Sequence, residues 1–167
     1  MIADSALFAA LLAADRITKL LIPQNLDLHQ SIPVIPGLFH ITYVRNTGGA
    51  FGILAGWDNP MRRAFFILAS VAALVLLAML YRQACREGSR AMRLALAAIG
   101  SGAVGNLYDR VMAGEVVDFL DLFIGRHHWP AFNVADSAIS VGAVILGYLY
   151  ITGRAGPSAE ARGSDAS

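Results

Sequence analysis

The chain has 167 residues, of which 56% are hydrophobic and only 15% are charged, and its mean hydropathy is +0.56. Soluble domains are about 25% charged, so this chain lacks the polar surface that water would require. Its net charge of +1, without a basic tract, gives no reason to expect nucleic acid as a partner. The single cysteine, Cys85, excludes an intramolecular disulfide and a cysteine-based metal cluster. Length and composition therefore predict a single integral membrane domain.

Four apolar segments predict a mainly α-helical membrane protein with four transmembrane helices. Residues 64–81 are 18 consecutive uncharged residues, and residues 137–153 are 17 more. A helix of about 20 apolar residues crosses the hydrocarbon core of a bilayer, so both segments are close to the required length. Polar residues interrupt the other two segments. The expected helices are residues 2–22, 61–82, 91–111 and 132–152, within one domain of residues 1–153.

The first apolar segment is interpreted as a retained helix that ends at Pro23. A cleaved signal peptide is the alternative, but the segment lacks a basic n-region and carries charges where a cleavage site would lie. Asp15 and Lys19 are four residues apart, on one face of the helix. They either anchor the helix end at the lipid headgroups or form a buried pair that braces the helix bundle.

Residues 24–60 predict a small β-sheet that lies on the membrane surface between the first two helices. Residues 38–44, LFHITYV, are rich in β-branched and aromatic side chains, which favour a strand. Asn46 then opens a tight turn that contains two glycines. Residues 51–57 are apolar and end in a tryptophan, which suits the membrane interface.

Arginines predict how the chain is oriented in the membrane. Residues 82–93 hold four arginines and one glutamate, so this connection is expected on the cytoplasmic side. Both termini would then face the cytoplasm, and the connection of residues 112–135 would face outward. Arginines near the outer helix ends, such as Arg62, oppose this assignment. Residues 154–167 are small and polar, which is typical of a disordered tail.

Small residues dominate the third predicted helix. Ala98 and Gly102 have the small-xxx-small spacing that lets another helix approach closely. Residues 100–105 also match GxGxxG, but no strand precedes them and no βαβ unit surrounds them. A dinucleotide site is therefore rejected.

Polar residues in a membrane segment, or at its edge, are costly and by default mark a functional site. Asp136 follows Asn133 at the start of the fourth helix, where helix capping alone would account for both side chains. Asp121 lies in the last connection and is expected to be solvated, and composition does not separate it from Asp118. The candidates are Asp15, Asn106, Asp109, Arg110, Asp118, Asp121, Asn133 and Asp136.

Elimination narrows the chemistry that these residues could perform. The sequence has no GxSxG motif, and His127 and His128 lack the HExxH spacing of a zinc protease. Cys85 lies in the arginine-rich connection, a poor place for a nucleophile with a histidine partner. What remains is carboxylates, two of which can share a proton and activate water without a metal or a cofactor.

Five short motifs follow one another along the chain: DRITK at residues 15–19, NTGGAFG at 46–52, GAVGNLYDR at 102–110, VDF at 117–119 and FNVADS at 132–137. Together they resemble the lipoprotein signal peptidases (signal peptidase II) of bacterial inner membranes. The resemblance covers most of the chain, from Asp15 to about Gly142. Residues 47–49 and Tyr108 depart from the family's usual pattern, at positions without an assigned catalytic role.

The resemblance implies an aspartic endopeptidase that removes signal peptides from diacylglyceryl-modified prolipoproteins, cleaving just before the lipidated cysteine. The implied partners are this substrate and the membrane lipids, with no nucleic acid, no metal and no cofactor, and a monomer is expected. The site would lie near the periplasmic face of the inner membrane, under the sheet. The implied residues are Asp118 and Asp136 for catalysis, Asn46, Asn106, Arg110 and Asn133 for binding of substrate or of inhibitors such as globomycin, and Asp15, Lys19 and Asp109 for structural support.

Two other classes of function stay open from the residues alone. A proton-coupled transporter would need acids staggered through the bilayer, and often has an internal repeat; here the acids crowd one side and no repeat is found. A structural or chaperone-like membrane protein would use the acids only to anchor helix ends. The distance between Asp118 and Asp136 is also undefined, because 17 residues separate them.

Overall fold

The computed structural model describes residues 1–48 and 59–154. The apolar segment of residues 51–57, the end of the NTGGAFG motif and the predicted disordered tail, apart from Arg154, lie outside these described residues. The helices are α1 (Ile2–Asn25), α2 (Asn59–Arg86), α3 (Arg90–Met112) and α4 (Val134–Ile151). The strands are β1 (Ser31–Ile35), β2 (Phe39–Asn46), β3 (Val116–Ile124) and β4 (His127–His128).

The helix ends differ from the predicted ones by at most four residues, and two of these differences are corrections. Helix α1 does not end at Pro23 but at Asn25. A proline in the last turn removes only one backbone donor, and the amide of Leu26 closes the end by bonding to the carbonyl of Ile22 at 3.0 Å. The predicted arginine-rich connection is mostly helical too. Only residues 87–89 join α2 to α3, where Gly88 takes a positive φ of 70°.

Helix α3 is the centre of the bundle and packs against the other three helices. Its closest approach is to α4, as the small residues of its sequence predicted. A Cβ added at Gly102 would collide with the carbonyl oxygen of Ala135, and one added at Gly142 would lie 2.8 Å from the carbonyl oxygen of Ala95. Only glycine lets the two backbones come this near.

Two helices of the described chain are apolar enough to cross a membrane. They are Pro60–Arg86, within α2, and Val134–Ile151, which is α4. Large apolar side chains on both are exposed, with Leu68 69% and Val144 72% accessible. Such an apolar exterior is what hydrocarbon, rather than water, would surround.

The four strands form one antiparallel sheet in the order β1-β2-β3-β4. The prediction of a sheet between α1 and α2 accounts only for β1 and β2, because β3 and β4 come from the connection between α3 and α4. This connection was expected to be exposed to water. Instead, β3 pairs with β2, with Val44 opposite Asp118 and His40 opposite Asp121. A free strand edge recruits such a partner.

The alternation of side chains along β3 gives the sheet two different faces. Asp118 and Leu122 line a cavity of about 920 Å³. Phe119 points the other way, into a core cluster with Ile22 of α1 and Tyr43 of β2. One face of the sheet therefore packs against the end of α1, and the other face lines the cavity.

The variant Gly102→Ala should destabilise the protein, because the added methyl group would overlap the carbonyl oxygen of Ala135. Overpacking of this kind costs about 1–3 kcal/mol. Gly100→Ala is the matched control on the same helix, since its methyl group would only touch Phe8 at 3.6 Å. Melting temperatures of the purified variants in detergent should fall for Gly102→Ala alone; a drop of equal size in both would contradict this packing.

Candidate active site

Asp118 of β3 is a buried carboxylate held by two amide side chains. It is 2% exposed. Its Oδ2 accepts a hydrogen bond from Nδ2 of Asn46 at 2.9 Å, and its Oδ1 accepts one from Nδ2 of Asn133 at 2.7 Å. Asn46 ends β2 and Asn133 precedes α4, so the sheet and a helix together fix this carboxylate.

Asp136 lies in the first turn of α4 and forms a capping box with Asn133. The amide N–H of Asp136 donates to Oδ1 of Asn133 at 3.0 Å, and the amide N–H of Asn133 donates to Oδ2 of Asp136 at 3.2 Å. The second oxygen, Oδ1, accepts from Nδ2 of Asn106 at 2.7 Å. Capping thus occupies one oxygen of Asp136 and does not exclude a chemical role, because this residue also lines the cavity.

One amide connects the two carboxylates. Asn133 is completely buried, and it bonds to Asp118 through its side-chain nitrogen and to Asp136 through its side-chain oxygen and its backbone. Its Nδ2 also lies 3.3 Å from Oδ1 of Asn106. The structure therefore brings Asp118, Asp136, Asn106 and Asn133, which are far apart in sequence, into one cluster.

A cluster of buried charged side chains contacts Asn106 through Lys19. Nζ of Lys19 lies 2.8 Å from Oδ1 of Asn106, 2.9 Å from Asp15 and 2.8 Å from Asp109. Asp15 and Lys19 are 1% and 3% exposed. Of the two interpretations that the sequence left open, the buried pair is the one observed, and it links α1 to α3. Asp15 also accepts from the amide of Ala135, at the start of α4.

Arg16 belongs to this cluster, although the sequence analysis did not single it out. Its guanidinium donates to Asp109 at 2.6 Å and lies 4.7 Å above the ring of Tyr108. Tyr108, a departure from the family pattern, thus has a contact of its own. The sequence feature that could have identified Arg16 is that it adds a third charge, between Asp15 and Lys19, to a segment otherwise fit to span a membrane.

The site cavity has a volume of about 920 Å³ and contains both carboxylates in its lining. Arg110 of α3 also lines it, with its guanidinium 5.2 Å above the ring of Phe66 of α2. The walls come from the sheet, from α2 and α4, and from the segment after β4. Their residues include Val44, Asn46, Arg62, Val116, Leu122, Trp129, Pro130, Ala131, Phe132, Ser137, Ser140 and Val141.

Asp121 is not part of the site cavity. It lies three residues after Asp118 on the same strand, and therefore faces the opposite side of the sheet. There it is buried rather than solvated, 9% exposed, with Nδ1 of His128 2.9 Å away and Nδ1 of His40 3.7 Å away. The expectation of a solvated Asp121 was wrong, because the connection that holds it is a strand with two partners.

Burial and, to a smaller extent, the nearby charge of Asp136 raise the pKa of Asp118 to about 6, against the opposing effect of the bonds from Asn46 and Asn133. Two neighbouring carboxylates that share one proton can act as a base and an acid on the same substrate. Among the described residues, no three histidine, cysteine, aspartate or glutamate side chains are arranged to hold a metal ion.

Comparisons with known proteins agree with these features. The model of the family described as Signal peptidase (SPase) II matches residues 7–152. The lipoprotein signal peptidases of Geobacter metallireducens and Geobacter sulfurreducens are 51% and 56% identical over 85% and 81% of this chain, and over 86% and 82% of their own lengths. Two solved structures of bacterial membrane enzymes have TM-scores of 0.81 and 0.77, with 30% and 31% identity over 91% and 90% of this chain and 89% and 93% of theirs.

The pH dependence of stability should reveal the raised pKa of Asp118. Its folded-state pKa, about 6, exceeds the ordinary value of 3.8, so its charge destabilises the fold increasingly between these two pH values and by a constant amount above them. Asp118→Asn removes this effect. Its stability relative to wild type should rise over this range by at most about 3 kcal/mol.

The measurement is the difference in melting temperature between Asp118→Asn and wild type at several pH values from 4 to 8. A constant offset is expected as well, since an asparagine accepts only one of the two amide hydrogen bonds. The exposed Asp27 provides a control, Asp27→Asn, whose difference should not change in this way. A difference for Asp118→Asn that is the same at every pH would contradict the raised pKa.

Lys19→Met should destabilise the protein by about 3–5 kcal/mol, because Asp15 would stay buried without its close cation and Asp109 would keep only Arg16. Thermal unfolding in detergent and the yield of folded protein would measure the loss. The double variant Asp15→Asn/Lys19→Met should lose less than the sum of the two single variants, since their effects arise from one interaction. Additive losses would mean that the two residues do not act as a pair.

Proposed function

Because this chain belongs to the signal peptidase II family, we propose that it is an aspartic endopeptidase of the bacterial inner membrane. It removes signal peptides from diacylglyceryl-modified prolipoproteins and cleaves just before the lipidated cysteine. The observation that carries this proposal is the pair of carboxylates, Asp118 and Asp136, which line one cavity and are joined through Asn133.

The two carboxylates divide the chemistry of peptide hydrolysis between them. In the reactive state the pair shares one proton, which we assign to Asp118 because its pKa is the raised one, and Asp118 donates this proton in a hydrogen bond to the carbonyl oxygen of the scissile peptide. Asp136, which accepts from the amide of Asn133 and from Asn106, is the ionised member. It takes a proton from a water molecule as the water oxygen attacks the carbonyl carbon. The proton then passes to the leaving cysteine nitrogen as the C–N bond breaks.

Amide and guanidinium groups around the pair position the substrate backbone. Asn46 and Arg110 line the site cavity and offer N–H donors to peptide carbonyls. Arg110 is held over Phe66 and bonds to the carbonyl oxygen of Asn106 at 3.4 Å. Asn106 and Asn133 chiefly fix the two carboxylates, so their contribution is to the geometry of catalysis.

The substrate reaches the site cavity laterally, from within the bilayer. The cavity is bordered by Arg62 of α2 and by Ser137, Ser140 and Val141 of α4. Val141 is 59% exposed, and it continues into the apolar outer surface of α4. A lipidated transmembrane substrate could lie along this surface while its cleavage site enters the cavity, which also meets water at the sheet.

The topology that suits this route has all four helices across the membrane. Helices α1 and α3 have 24 and 23 residues, enough to span it, and their charges are paired inside the bundle. The arginines near the junction of α2 and α3 favour a cytoplasmic position for this end and for both termini. The sheet and the site cavity then lie at the periplasmic face of a single domain, residues 1–153, that acts as a monomer.

Asp118→Asn and Asp136→Asn should each lower cleavage of a lipidated prolipoprotein at least about 100-fold, because each removes one partner of the acid–base pair. The assay is the gel shift of a purified lipidated prolipoprotein on incubation with the purified enzyme. Asp27→Asn, an exposed aspartate far from the cavity lining, is the matched control and should cleave normally.

Normal turnover by either variant would contradict the carboxylate pair. Activity that EDTA abolished and zinc restored would also contradict it, since the pair needs no metal. If wild-type protein cleaved neither lipidated nor unlipidated prolipoprotein, the peptidase proposal itself would fail, in favour of a transport or structural role for the acids.

A further inference from the structure

On the basis of the proposed function, we infer that Asp121 and His128 are positioning residues for the outer wall of the site cavity, residues 129–132, and that they set substrate affinity through this wall. Neither residue lines the cavity. Their side chains meet on the opposite face of the sheet, where the proposed reaction makes no use of them.

The side chains of Asp121 and His128 connect β3 to β4, and this contact is called the clasp below. Nδ1 of His128 lies 2.9 Å and 3.1 Å from the two carboxylate oxygens of Asp121. The His128 ring also stacks on Phe123, with ring centroids 4.7 Å apart and an angle of 15° between the planes. His40 lies against Phe123 as well, at 4.4 Å, and approaches Asp121 at 3.7 Å. Strands β2, β3 and β4 are therefore joined by side chains at one point.

The clasp is needed because β4 is very short. It has only two residues, which pair with Phe123 and Ile124 of β3. A two-residue strand has few backbone bonds of its own, so the contacts of His128 hold the end of the β3–β4 hairpin in register.

The cavity wall begins at the residue that follows His128. All four residues of the wall line the site cavity. Its backbone is bonded to β3 at both ends, through the amide of Trp129 to Leu122 and the amide of Phe132 to Leu120. Pro130 has no amide hydrogen to add a bond between them. A change at His128 is thus transmitted directly to the position of Trp129 and Pro130.

In the proposed function, this wall contacts the substrate from its side of the site cavity. The cap residue Asn133 follows the wall and is completely buried, so the far end of the wall is fixed. Loss of the clasp would displace the near end and leave Asp118 and Asp136 in place. Such a change weakens binding of the substrate and the transition state alike, which raises KM and leaves kcat unchanged.

The test compares Asp121→Ala, His128→Ala and the double variant with His127→Ala. His127 is the neighbouring residue of β4 and is exposed, and its side chain has no hydrogen bond or ion pair with any residue that the structure describes. Asp121→Ala and His128→Ala should each raise KM for lipidated prolipoprotein about tenfold, equivalent to about 1.4 kcal/mol, with kcat within about twofold. The double variant should equal either single variant, and His128→Asn, which keeps a donor, should restore most of the affinity.

A second measurement follows the wall without any substrate. The sequence has two tryptophans, Trp57 and Trp129, so in a Trp57→Phe background the fluorescence reports on Trp129 alone. Asp121→Ala and His128→Ala should shift its emission and its quenching by acrylamide, whereas His127→Ala should not. This result supports the clasp even if wild-type protein fails to cleave prolipoproteins, a failure that would count against the proposed function only.

Three results would overturn the inference. One is an unchanged KM in an active enzyme, with only the melting temperature lowered, which would make the pair structural. Another is a loss confined to kcat. The third is a Trp129 signal that is the same in wild type, Asp121→Ala and His128→Ala.

Discussion

The structure depends on one buried amide, that of Asn133. Its side-chain oxygen caps α4, its nitrogen holds Asp118 of the sheet, and the same nitrogen approaches Asn106 of α3. In an apolar surrounding, an amide that lost these partners would cost more than the bonds themselves contribute. The sheet, the central helix and the last helix therefore assemble correctly around this side chain or not at all. The proposed catalytic geometry follows from the same requirement.

The charges around Lys19 show how a membrane protein can hold ionised groups inside a bundle. Each is matched to an opposite charge or an amide, and the matches join different helices: α1 to α3 through Asp109, and α1 to α4 through the amide of Ala135. Pairing of this kind offsets part of the cost of taking the ions out of water. They also leave Asn106 with a fixed orientation, because its oxygen accepts from Lys19 and its nitrogen donates to Asp136.

Much of this arrangement could be predicted from the sequence, but the sheet could be predicted only in part. Hydropathy predicted where the helices lie, because each is a local signal of suitable length. The two strands after α3 were missed, since a strand depends on a distant partner, here β2. Composition could not separate Asp118 from Asp121, and only the motif did. Their odd spacing on a strand provides the physical reason, because it points the two carboxylates to opposite faces.

The double use of Asp136 has a consequence for how such a protein can diverge. Its carboxylate begins a helix with one oxygen and meets Asn106 with the other, so a replacement by asparagine, which has one acceptor oxygen, would lose one of these contacts. The part of the site cavity that Asp136 and Asn106 form should therefore tolerate few substitutions. In the proposed peptidase, we expect adaptation to new substrates, and escape from a compound that fills the cavity, to arise mainly at wall residues such as Val44 and Leu122. Few substitutions could therefore give resistance to a compound whose affinity came mainly from contacts with Asp136 and Asn106.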